Sequence, residues 1–297
     1  MLQDWIQAGE KDEYLIDYLF DLNGYIIVKN GVGKKDLDEM NQWVDDHWEY
    51  VCPQRHIFEQ EDRTWIGNVE THTYSGADGC NFQNVIEGGA IFRKLINYPT
   101  WIDHCRRWIN PKNGISLHEN LLNVRGRGGY IGIHCGGACP ISYMTFRQAH
   151  TGEWMVGQIN VIAAVADVGP GDGPTTVIPG SHKSAMPHPM LTEQTYRSDD
   201  AAGKQVGMKE LYLEAGDVLM LTDAITHGSA DRTNQGHRRI TLYRYSPKLL
   251  RSRFHYVPSK ELLDCLDEEQ RGIIEPIPPR FAPGQSYEQR QQTESPI

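Results

Sequence analysis

The chain has 297 residues, with 29 Lys and Arg against 39 Asp and Glu for a formal net charge of −10, and 39% of it is hydrophobic. A balance this acidic lacks the long-range positive field that captures polyanions, which excludes a nucleic acid polymer or an anionic membrane as a general partner. The opening run MLQDWIQAGEKDE has no basic start or apolar core of the secretory kind, and the apolar stretch Ile159 to Ala166 falls far short of the roughly 20 residues that cross a bilayer. Six cysteines are too few for a disulfide scaffold, so the chain reads as cytoplasmic with reduced thiols.

In chain order, FDLNGYIIVKNGVGKKDLDEMNQWVDDHWEYV predicts a glycine turn, a short strand over Tyr25 to Val28 and an amphipathic helix from Lys34. Leu37, Met40 and Val44 form the apolar stripe of that helix. AIFRKLINYPTWIDHCRRWI predicts two short helices parted at Pro99. These make a helical flank over about residues 30–112, apart from the site. From Ile115 the period changes, and short apolar runs alternate with Gly- and Pro-rich breaks such as GPGDGP, PGSHKS and EAGD. Strands are predicted at 116–124, 130–134, 158–167, 175–178, 209–213, 218–222 and 239–245. That spacing is the one found in all-β sandwiches and barrels. A single domain over 1–281 is expected, with a core at about 115–250, followed by a polar, flexible tail over 282–297.

Two histidines and an arginine carry the candidate chemistry. His134 ends the run YIGIH, and in an extended strand position 136 would share its face. His227 closes GDVLMLTDAITHGS, and Arg238 follows in HRRITLYRY. Together with DLNGYIIVKN and VIPGSHKS, these motifs resemble the Fe(II)/2-oxoglutarate oxygenases of the phytanoyl-CoA dioxygenase-like group.

The resemblance implies an all-β core with flanking helices, a double-stranded β-helix (a cupin-like jelly roll). It implies that His134 and His227 bind Fe(II) and that Arg238 grips the far carboxylate of 2-oxoglutarate, with Asn123 and Ser229 beside it. An arginine fork suits a carboxylate because it binds both oxygens. Hydroxylases of this fold carry His-x-Asp or His-x-Glu, completing a 2-His-1-carboxylate triad. Here the motif is His134-Cys135-Gly136. Glycine offers no ligand atom, so the sequence resembles the iron-dependent halogenases, in which chloride takes the open position. The implied reaction uses O2 and 2-oxoglutarate to chlorinate an unactivated C–H bond. Alternatives are a hydroxylase with an atypical iron shell that borrows Asp167 or Asp172, and a non-catalytic jelly-roll binding protein.

Other residues read as structural. His182 and Asp217 sit in turn-forming clusters, and Arg239 suits a salt bridge at the barrel edge. A zinc site of Cys135, Cys139 and His118 lacks the usual ligand spacing. GGYIG and GPGDGP lack the strand-loop-helix context of a nucleotide fingerprint. A long segment at 137–157 reads as a lid or substrate loop carrying Tyr143, Phe146 and Arg147, and Arg125 or Arg127 could meet a phosphate. The subgroup resemblance is to the deoxyadenylate chlorinases, which implies a free (deoxy)adenine nucleotide, such as a nucleoside monophosphate in nucleoside-antibiotic biosynthesis. The net charge disfavours a substrate carried on an acidic carrier protein.

Overall fold

Side-chain parity along each central strand decides what that strand faces. In the strand Tyr25–Lys29, Tyr25 and Ile27 belong to one buried cluster, whereas Ile26 and Val28 belong to another. Val218–Thr222 sorts Leu219 and Leu221 from Val218 and Met220 in the same way, and Ile159–Ala164 sorts Ile162 and Ala164 from Val161 and Ala163. Successive side chains of a strand point to opposite faces, so a strand with core on both sides reads as a continuous apolar run.

The computed structural model describes residues 3–51, 64–72, 79–109, 112, 114–141, 144–191, 197–202, 205–250 and 257–275. Its strands are β1 (Trp5–Gln7), β2 (Tyr25–Lys29), β3 (Thr64–Ile66), β4 (Val69–His72), β5 (Gly79–Gln83), β6 (Ile115–Arg125) and β7 (Ile131–His134). They continue with β8 (Ile159–Ala164), β9 (Thr175–Val177), β10 (Arg197–Ala201), β11 (Lys209–Leu211), β12 (Val218–Thr222), β13 (His227–Ser229) and β14 (Arg238–Pro247). A nine-stranded sheet runs β1-β2-β12-β8-β14-β6-β5-β4-β3, and a five-stranded sheet runs β10-β7-β13-β9-β11. All described pairings are antiparallel except β1 with β2. The smaller cluster joins the two sheets through Val177 and Leu211 on one side and Ile162 and Leu219 on the other. This is the jelly-roll arrangement that the family resemblance implies.

The larger cluster lies between the outer face of the major sheet and the helices. These are α1 (Glu13–Asn23), α2 (Lys34–Asp46), α3 (Ala90–Lys94), α4 (Ile102–Ile109), α5 (Lys260–Cys265) and α6 (Glu268–Ile274). Helix α2 buries Leu37, Met40 and Val44, the predicted stripe. Asp36 on the same helix meets Lys94 at 2.7 Å and Tyr98, and these partners hold its carboxyl below the ordinary range despite burial, which acts to raise it. Helix α1 starts at Asp12, whose side chain accepts from Leu15 N, and stops at Gly24 with φ +80°.

The flank differs from expectation, because strands β3 to β5 interrupt the helices and extend the major sheet through β5 and β6. The tail over 282–297 lies outside the described residues. The described cysteines, Cys80, Cys105, Cys135, Cys139 and Cys265, are free thiols. No described helix is long and apolar enough to cross a membrane.

Candidate active site

Strands β7 and β13 are neighbours, and their register sets His134 opposite His227 with ring centroids 4.1 Å apart. Both rings use the same local bond. His134 Nδ1 lies 3.0 Å from the Gly132 carbonyl, and His227 Nδ1 lies 2.8 Å from the Ile225 carbonyl. A carbonyl only accepts, so each Nδ1 carries the hydrogen and each neutral ring presents its lone pair at Nε2. Metal-binding imidazoles are commonly oriented by such a bond. Ligand atoms of His134, Cys135 and His227 lie within 4.8 Å of one another. The donor set and the fixed tautomers fit a divalent transition metal.

Position 136 does not share the strand face of His134. Strand β7 ends at His134, after which Cys135 has φ +65° and Gly136 has φ +118°. The alternation rule fails because the chain leaves the extended region at that point. A Cβ at 136 would stand 2.7 Å from Thr226 Oγ1, so backbone conformation and space both favour glycine. Cys135 packs in a small apolar cluster with Cys139, Met144 and Ala224.

A carboxylate that the sequence reading missed lies on the other side. Asp223, only 1% exposed, places Oδ1 at 3.6 Å from His227 Nε2. It follows directly on β12, where a turn closed by Ile225 N to Thr222 O folds the chain back before β13 begins. Asn160 Nδ2 donates to Asp223 Oδ1 at 2.8 Å. Four-residue spacing means little outside a helix, so only the turn geometry reveals this neighbour.

The histidines open onto a cavity of about 370 Å³ walled by alternate residues of facing strands. Glu119, Leu121, Asn123 and Arg125 of β6 face it, and they pair in register with Arg244, Leu242, Ile240 and Arg238 of β14. Two buried arginines are thus directly opposed, an arrangement that destabilises a sheet when no anion is present. Arg238 donates to the Gly173 carbonyl and to Asn123 Oδ1, the latter at 3.0 Å, and Arg125 donates to Ser229 Oγ at 2.6 Å. Among the described residues Arg238 Nε finds no hydrogen-bond partner. Burial, then the cations Arg125 and Arg232, push the Arg238 pKa well down. A carboxylate bound here would reverse the ionic part of that penalty. Asn123, Arg125, Ser229 and Arg238 thus come together at one end of the cavity, with Arg125 belonging to this end. The flank contributes Glu70 and His72 from β4 and Asn81 and Gln83 from β5, none of which was predicted. The period-two pattern of ENLLNVR and RRITLYR is the signal that could have revealed the wall.

Of the other predicted substrate residues, those that are described are not brought to the cavity. Arg127 is exposed and Tyr143 lies outside the described residues. Phe146 packs on Phe20, Trp154 and His182, while Arg147 pairs with Asp21 at 2.9 Å and covers the Trp154 ring at 3.5 Å. The described part of this aromatic segment is anchored to the outer helical layer, since Phe20 also stacks on Trp108. Asp167 caps Ala215 N and Asp172 pairs with Arg232, so neither borrowed-ligand candidate lines the cavity. His118 bonds Ser246 Oγ at 2.8 Å and lies outside the group of metal-capable atoms. Asp217 pairs with Lys29 at 2.6 Å, and Arg239 pairs with Asp45 at 2.6 Å, both as structural residues.

Residues 143–240 match the family model described as phytanoyl-CoA dioxygenase (PhyH). No curated protein matches the chain. Among solved structures, HygX from Streptomyces hygroscopicus with nickel and 2-oxoglutarate bound has a TM-score of 0.63 at 17% identity, covering 86% of this chain and 94% of that one. The HygX complex with nickel, 2-oxoglutarate and hygromycin B has a TM-score of 0.61 at 18% identity, covering 85% and 94%. The epimerase SnoN in complex with Fe3+, alpha ketoglutarate and nogalamycin RO has a TM-score of 0.54 at 15% identity, covering 80% and 85%. At these identities the likeness is one of fold, and the chain has the jelly-roll fold of these proteins.

Proposed function

We propose that the protein is an Fe(II)/2-oxoglutarate-dependent oxygenase that attacks a C–H bond of a small polar molecule. The observation that carries this reading is the pairing of two tautomer-fixed imidazoles with an anion site in one cavity, where Arg238 keeps an unpartnered Nε opposite Arg125. His134 and His227 would hold the iron. Arg238 and Arg125, steadied by Asn123 and Ser229, would hold the distal carboxylate of 2-oxoglutarate. Bound iron and 2-oxoglutarate supply, with O2, the oxidising power for C–H cleavage. The chain's residues position the substrate and keep water out. Leu121, Ile162, Ile240 and Leu242 form an apolar band, while Glu70, Gln83 and Arg244 present polar groups. That mixture suits a substrate with several hydrogen-bonding groups, and the bound hygromycin B and nogalamycin RO of HygX and SnoN are natural products.

Chlorination of a (deoxy)adenine nucleotide is the second reading. Its support is that Gly136 brings no ligand atom, and that Arg125 and Arg244 supply positive charge to the wall. Glu70 and Glu119 in the same wall oppose a phosphate. Purified protein supplied with Fe(II), 2-oxoglutarate and O2 can be screened against natural products and nucleotides, with and without chloride, by mass spectrometry and succinate assay. Succinate with an oxygenated or epimerised product is the expected result. A chloride-dependent chlorinated product would establish the second reading, and absence of both metal binding and succinate would reject the enzyme class.

A further inference from the structure

A guanidinium donates hydrogen bonds and never accepts them, and from Arg238 that constraint runs outward across three strands. Arg238 Nη2 donates to Asn123 Oδ1 at 3.0 Å, so the Asn123 amide turns its oxygen to the arginine and its nitrogen the other way. That nitrogen donates to Asn81 Oδ1 at 2.5 Å. With its oxygen committed to Asn123, Asn81 presents Nδ2 to His72 Nε2, 3.5 Å away. The ring nitrogen at this end must accept, which leaves the hydrogen of neutral His72 on Nδ1, 3.8 Å from Glu70 Oε1. Strand register makes the row contiguous, since His72 of β4 pairs with Asn81 of β5 and Asn81 pairs with Asn123 of β6. All four residues line the cavity.

We propose, on the premise that Arg238 receives the distal carboxylate of 2-oxoglutarate, that Asn81 is a positioning residue for that arginine. By accepting from Asn123 it keeps the Asn123 oxygen, rather than the amino group, against the guanidinium. The two ends of an amide are alike in shape and opposite in polarity, so partners alone decide which way it points. Asn81 and Asn123 are both buried, and water does not replace a lost partner there. An apolar side chain at 81 leaves the Asn123 nitrogen without its acceptor. Turning that amide over sets donor against donor at Arg238, and leaving it in place strands the nitrogen, so either state loosens the fork. His72 closes the row by giving Asn81 Nδ2 an acceptor, which opposes reversal of the Asn81 amide. Strands β4 and β5 thus do more than widen the major sheet, because they carry the two residues that set the polarity of its arginine end.

Two measurements on the full chain test this. Proton–nitrogen NMR spectra of histidine-labelled protein in alkaline buffer, with the His72 signal identified by its loss in His72→Gln, should show the hydrogen on Nδ1 and a bare Nε2. A hydrogen on Nε2 reverses the row and overturns the proposal, and this readout stands even if no variant at Asn81 folds. The second measurement is calorimetric titration of 2-oxoglutarate into nickel-loaded protein. Asn81→Leu should weaken 2-oxoglutarate about 10-fold, the worth of one hydrogen bond to a charged group, while nickel affinity stays as in wild type. Added to Asn123→Leu, the same substitution should cost less than about 2-fold more, because a residue that acts through Asn123 then has nothing left to position. Unchanged 2-oxoglutarate binding in Asn81→Leu, an equal loss of nickel, or full additivity with Asn123→Leu overturns the role of Asn81. A nickel-loaded wild type that binds no 2-oxoglutarate overturns the premise beneath it instead.

Discussion

Replacing Arg238 with Met removes the fork from the anion site while leaving both histidines in place. Arg238 lies directly opposite Arg125 in the β6/β14 register, so the variant loses two hydrogen bonds but also a like-charge opposition, and the unliganded protein should still fold. Truncating one partner of a buried, hydrogen-bonded charge pair costs about 2–5 kcal/mol, and 2.7 kcal/mol within that range weakens 2-oxoglutarate about 100-fold. The effect can be read without turnover, using nickel as a redox-silent metal in a thermal melt. At 2-oxoglutarate 100 times its Kd, wild type should gain about 2.7 kcal/mol, or roughly 5–10 °C. At the same concentration the variant would sit near its own Kd, gain about 0.4 kcal/mol and move about 1 °C. Nickel alone should stabilise both proteins equally. A 2-oxoglutarate shift that survives in Arg238→Met would refute the anion-site argument.

Three further outcomes follow from the packing. Gly24→Ala should lose about 2–4 kcal/mol in urea denaturation, because a left-handed backbone costs a non-glycine residue and the new Cβ would stand 2.4 Å from His182 Nδ1; unchanged stability would contradict this. Arg244→Leu should cost about 3–5 kcal/mol by stranding buried Glu119, and adding Glu119→Gln should recover part of it. Burial pushes the His182 pKa down to about 4 from 6.5. The unfolded chain therefore takes up the proton first as pH falls. Stability from this group is complete above pH 6.5 and lost toward pH 4, by roughly 2 kcal/mol at pH 5. His182→Gln should flatten that part of the pH profile, and an unaltered slope would show that His182 does not titrate this way.

Much of the architecture was legible because it is written in short periods. The alternation around Tyr25–Lys29 and Val218–Thr222, and the three-and-four spacing of Leu37, Met40 and Val44, need no knowledge of distant residues. His134, His227 and Arg238 were recognisable from motifs, and strand pairing brings them to one cavity with Asn123 and Ser229. Strands β3 to β5 were missed because short strands inside a helix-rich flank carry little period of their own. Phe146 and Arg147 were assigned outward chemistry because nothing local reveals that Phe20, Trp154 and Asp21 are their partners.

Residue type and local spacing were enough for the strand alternation and the helical stripe, and motif resemblance was enough to single out His134, His227 and Arg238. What surrounds them came from the folded chain. The dihedral angles at Cys135 and Gly136 turn the chain out of the strand, and the turn after Thr222 brings Asp223 to His227. Strand register sets two arginines face to face. Those relations arise from turns and from pairing between segments far apart in the chain, which local periodicity does not encode.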